Sequence, residues 1–119
     1  MATDLNWIVS NHGDFLSRFQ LDKEKIEASY LSWQENNSNY DTSDHFLGEL
    51  LRQASLYNIK HSNNEMEYVS RNIDILILQL EHSGHLSAEH KRNLVRQLHF
   101  NNLQLSRLTL PFKFNVQFK

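Results

Sequence analysis

An all-α domain of five antiparallel helices with a C-terminal extended arm is the fold class this sequence predicts. Three observations carry it. A single Pro and three Gly in 119 residues leave long stretches open to helix. Apolar residues recur at three- and four-residue steps through most of the chain. The end, "LTLPFKFNVQFK", changes period: Leu108, Leu110, Phe112, Phe114, Val116 and Phe118 are apolar at every second position, the mark of a half-buried strand. The division expected is a helical bundle over 1–110 and an arm over 111–119.

At 100° per residue, Leu5, Ile8, Val9, His12, Phe15, Leu16 and Phe19 share one stripe, which defines a first helix capped by Thr3 or Asp4. A short strand through Leu5, Trp7 and Val9 competes but collects fewer residues. Gly13 falls on the opposite face. Asp22 can cap a second helix, "DKEKIEASYLSWQE", with Ile26, Tyr30 and Trp33 inward. "NNSNYDTSD" is rich in turn formers and reads as the longest loop. A third helix opens near Thr42 or Ser43 and buries Phe46, Leu47, Leu50, Leu51, Ala54 and Tyr57.

Ser62 and Glu65 have capping-box spacing and open the fourth helix. Its seam is Met66, Val69, Ile73, Leu76 and Leu80, while Tyr68, Ile75 and Leu78 lie on the other side. A helix so nearly apolar all round is either central or sandwiched at an interface. Gly84 offers a stop, and Ser87 caps a fifth helix with Leu94, Leu98, Leu105 and Leu108 inward and Asn101 among them.

Formal net charge is −2, with no basic footprint for tight nucleic-acid binding expected. The absence of Cys removes disulfides, Cys-based zinc sites and thiol nucleophiles. No apolar run is long enough to span a bilayer, and "MATDLNWIVSN" lacks the cationic start of a secretory signal, so a cytoplasmic protein with no membrane partner is expected.

The arm poses the sharpest problem, because a lone strand has backbone donors and acceptors on both edges. It can pair with the arm of a second copy, add to another protein's sheet edge, or fold back on its own helices. Pro111 favours an edge position, and Lys113, Asn115, Gln117 and Lys119 make the second face polar. The function expected is a non-enzymatic protein–protein interaction module: adaptor, inhibitor or assembly subunit, more often homodimeric than not. Its contact residues would be Phe112, Phe114, Val116 and Phe118 with Tyr68, Ile75 and Leu78. No cofactor is expected.

Seven His are the over-used reactive residues. His82, His85, His90 and His99 cluster late, with Glu81 and Glu89 near them, but no HExxH pattern appears and no metal site is expected. His12 and His61 fall on apolar stripes, where satisfied core histidines are usual; a pH switch is the sharper alternative. Asp41 and Asp44 read as loop acids in a capping context. Trp7, Trp33 and Tyr40 have ring faces that could stack bases but lack basic neighbours. Trp7, off the inner stripe, could instead belong to a binding surface.

"RNLVRQLH" sets Arg92 and His99 seven residues apart, on one helix face that also bears Arg96. The spacing is similar to the Arg-x(4–6)-His signature of HEPN-type ribonucleases, small helical bundles that act as dimers. Asn93 matches a common form of that motif, and the resemblance covers these eight residues alone. It implies metal-independent RNA cleavage, with Arg92 holding a phosphate and His99 moving protons at the 2′-hydroxyl. A third reading is weak nucleic-acid binding through Lys91, Arg92, Arg96 and Arg107.

Overall fold

Five helices form around the apolar stripes that predict them: α1 (Leu5–Ser17), α2 (Lys23–Asn36), α3 (Ser43–His61), α4 (Glu65–Glu81) and α5 (Ala88–Gln117). The computed structural model describes residues 5–36 and 43–117, except for the side chains of Ser43 and of 110–117. The expected caps at Thr3 or Asp4 and at Thr42 or the Ser43 side chain, the loop with Tyr40 and Asp41, and Phe118 and Lys119 lie outside what is described. Of the arm expected over 111–119, the backbone of 111–117 continues α5, and the side chains of Phe112, Phe114 and Val116 lie outside what is described. No strand occurs among the described residues.

The middle helix organises the core. Phe46, Leu47, Leu50, Leu51 and Ala54 of α3 are wholly buried, meeting Ile8 and Leu16 of α1, Ile26 and Trp33 of α2, and Ile75 of α4. Each Leu, Ile or Phe among them contributes about 1.5–3 kcal/mol when removed from water. Trp33 and Tyr30 pack on Phe46 at ring separations of 5.4 and 5.2 Å.

Local signals place the ends. Arg18 closes α1 with a turn in which Gln20 takes φ 63°. Leu21 N–H donates to the Leu16 carbonyl and Gln20 N–H to that of Ser17, both at 3.1 Å, a Schellman pattern. Leu16 and Leu21 are both buried, as that motif's hydrophobic contact requires. Asp22 caps α2, its Oδ1 accepting from Lys25 N–H at 3.0 Å. The fourth helix is capped two residues later than its spacing suggests. Asn64 Oδ1 accepts from Glu67 N–H and Glu67 Oε1 accepts from Asn63 N–H, both at 2.8 Å. Ser62 instead finishes α3, its N–H and hydroxyl both turned to Asn58. Gly84 does not supply a left-handed stop, since no described glycine has positive φ; His82 is the C-cap of α4. Ser87 caps α5 as expected, accepting from His90 N–H at 3.1 Å.

The outward face expected on α4 is corrected. Ile75 is buried in the central core, Leu78 packs against that core, and Tyr68 is partly buried with its carbonyl held by Asn58 Nδ2 at 2.9 Å. The apolar girdle therefore serves two neighbours in the same chain: α3 on one side and α5 on the other. On the α5 side, Asn72 Nδ2 donates to Asn101 Oδ1 at 3.1 Å, and Asn101 Nδ2 donates to the Gln97 carbonyl at 2.7 Å. That bond fixes the register of the antiparallel pair and brings Glu65, at the start of α4, level with about Leu108. Leu94 is buried; Leu98, Leu105 and Leu108 are partly buried along the same seam.

Two substitutions test these placements. Asn58→Ala leaves the partly buried Tyr68 carbonyl without its side-chain donor and the Ser62 hydroxyl without its acceptor, and is expected to lower unfolding free energy in urea by about 1–3 kcal/mol; a change within experimental error contradicts the placement. Gln20→Gly relieves a Cβ in left-handed backbone and is expected to stabilise by about 0.5–1 kcal/mol, whereas destabilisation would mean that φ is not positive there.

Candidate functional site

The outer face of α5 is the most chemically distinctive surface of the chain. Its inner side is given to α4 through Leu94 and Asn101, and the remaining arc is bare. Val95, Phe100 and Leu103 are 53%, 58% and 47% exposed. Arg92 and His99 are exposed on the same arc, as are Arg96 and Arg107, while Lys91 at its margin is partly buried. All of the arc's members lie within about 90° of the Arg92–His99 line. Arg96 leans on Asn93 Oδ1 at 3.4 Å, and no carboxylate pairs with Arg92, Arg96 or Arg107 among the described residues.

Charge explains why that arc is unpaired. All fourteen Asp and Glu lie in residues 1–89, together with six Lys and Arg; from His90 to Lys119 there are six Lys and Arg and no acid. The near-zero whole-chain charge averages two opposed segments. The segregation was available in the sequence but is invisible to a net count, which is why composition alone argues against a basic footprint that α5 carries.

The Arg92 and His99 pair is brought to one face, as the motif requires, but seven residues separate the two by about 10.5 Å along the axis. Neither lines the cleft described next. Of the remaining expected contact residues, Tyr68, Ile75 and Leu78 are turned into the fold and take no part in this surface.

A second site was not assembled by sequence reasoning. The α4–α5 connection, 82–87, folds against α1 and α3 and brings histidines from four elements together. His82 stands beside His12 of α1 at a ring separation of 5.1 Å, and Trp7 contacts both edge-on at 5.4 and 5.8 Å. His82 Nδ1–H donates to Asp44 Oδ1 at 3.2 Å. His85 lies 4.1 Å from the ring of His45 and against Gly48, where a side chain would meet His85 Nε2. His45, Gly48, His82 and His85 border a cleft of about 350 Å³ that also includes Trp33, Glu49, Arg52 and His90. Arg52 donates to both Glu49 oxygens, at 3.0 and 2.6 Å, and holds that carboxyl below its ordinary range.

Two of these imidazoles are poorly served. His12 Nε2 and His85 Nδ1 are buried without a hydrogen-bond partner among the described residues. Burial pushes both below the ordinary imidazole value; His82 adds to the effect on His12 and His45 to that on His85. His12 therefore differs from the satisfied core histidine its stripe suggests. His61 is exposed, with its ring 4.4 Å from Tyr57. No group of three or more His, Asp or Glu among the described residues converges on a metal-binding point. Helix periodicity could place His12 and His45 on faces, but only the turn at 82–87 brings His82 and His85 to them.

No protein-family model, curated protein or solved structure matches this chain. No helix among the described residues is long and apolar enough to cross a membrane.

Because Arg92 and His99 make no packing contact that folding depends on, Arg92→Ala and His99→Ala are each expected to change unfolding free energy by less than about 0.5 kcal/mol. A loss above about 1 kcal/mol in chemical denaturation would show that either side chain is part of the packed structure.

Proposed function

We propose that this protein is a non-enzymatic interaction module that docks through the outer face of α5 onto an acidic protein surface. One observation carries the reading: three large apolar side chains stand exposed within a field of arginines that have no acidic partner among the described residues. An apolar centre with a charged rim is the composition of protein interfaces. Val95 and Leu103 are aliphatic and have no ring on which a base could stack, which favours a protein over single-stranded nucleic acid. The absence of acids after Glu89 also disfavours a second copy seated through the same helix, since antiparallel α5 helices would set arginine against arginine. A homodimer through the arm is a separate proposal, resting on side chains outside those described.

The test is photocrosslinking in the native cell, with a benzophenone side chain at position 100 and, as control, at position 56, where Leu56 is exposed on α3. The reading predicts an adduct with an acid-rich protein from position 100 only, lost when Arg92→Glu and Arg96→Glu are added. Identical adducts from both positions, a self-adduct alone, or crosslinking to RNA would each overturn it.

A further inference from the structure

We propose that the α4–α5 connection is a proton-operated latch: two histidine pairs hold it against α1 and α3 while uncharged and release it when they take up protons. His12 and His82 join α1 to the end of α4, and His45 and His85 join α3 to the turn. Uncharged imidazoles pack favourably edge-on or tilted at these separations. A second proton in either pair sets two cations about 4–5 Å apart in a partly desolvated corner, where repulsion is weakly screened.

The buried nitrogens make the effect directional. Uncharged His12 can leave Nε2 without a proton, and His85 likewise Nδ1. Protonation turns each into a buried N–H donor facing no acceptor among the described residues, which is costly unless the group moves to water. The surrounding charges offset this only in part: a charged His82 keeps Asp44 of α3 as its partner, whereas the buried nitrogens of His12 and His85 have none among the described residues. His12 faces His82 and Glu81 from α4, with Asp44 of α3 behind His82. His85 faces His45 and Asp44 from α3 and His90 from α5. Glu49, across the cleft, is engaged by Arg52. Among the described residues, five imidazoles are thus set against two carboxylates not engaged by arginine.

The sign of the pH dependence follows. His12 and His85 take up protons in the folded chain only below the 6.5 of an ordinary imidazole. The latch is fully closed above that value, weakens as pH falls through it, and stops weakening once pH passes the lowered folded values. Release frees the turn through which α5 is seated, including the Leu86 N–H that donates to the Ser83 carbonyl at 2.9 Å. The latch is independent of what α5 binds.

Amide hydrogen exchange of the whole chain at about pH 7.5 and pH 5.5, corrected for intrinsic rates, tests the latch. Protection over 83–87 is expected to fall about tenfold or more on acidification, with α3 amides at 46–54 unchanged. In the double variant His12→Gln, His85→Gln that fall should be abolished. Unchanged protection at 83–87, loss spread evenly over the chain, or a variant that keeps the wild-type response would overturn the proposal. Should the variant not fold, imidazole proton NMR of the wild-type chain decides: midpoints of His12 and His85 below 6.5 support the latch, and either midpoint at or above 6.5 overturns it.

Discussion

The burial of one face of α3 is the constraint from which the rest of the structure follows. Phe46, Leu47, Leu50, Leu51 and Ala54 cannot be covered by any single neighbour, so α1, α2 and α4 each take part of the face. Once α4 has committed Ile75 and Leu78 to α3, its other apolar stripe is bare, and α5 is needed to cover it. The last helix is therefore seated on α4 from one side. Its opposite side is left with no neighbour among the described elements. The bare outer face of α5 is a consequence of the order in which faces are filled.

Polar groups inside the fold fix how those faces align. Asn58 ties the end of α3 to the carbonyl of Tyr68 on α4, and Asn72 ties α4 to Asn101 on α5. Apolar stripes tolerate sliding by a turn; a buried amide that loses its partner does not. These two contacts couple α3, α4 and α5 in one register. That register determines how much of α5 α4 can cover.

Helix number and inner stripes were legible because a 3.6-residue period reports burial directly, as at Leu50 or Leu94. Asn64 is hidden as a cap because Ser62 and Glu65 offer the same spacing two residues earlier, and Ser62 is drawn instead to Asn58 at the end of α3. Ile75 reads as an outer residue if one helix buries one stripe; α4 buries two. The basic character of α5 was legible, yet lost in a whole-chain charge. The histidine corner was out of reach, since His12 of α1 and His45 of α3 meet His82 and His85 only through the short connection at 82–87. Both functional features lie on α5 or at its N-terminal seat, so loosening at 82–87 would reach the helix proposed to dock.

Native-state hydrogen exchange on the isolated chain at neutral pH, mapped along the helices, tests the central claim that α3 is the hub and α5 a one-sided appendage. Amides from 46 to 58 are predicted to exchange only through global unfolding, while those from 95 to 107 exchange through cheaper local opening. If α5 proves as protected as α3, its outer face is already covered in the isolated protein. The account of a bare docking helix would then be wrong.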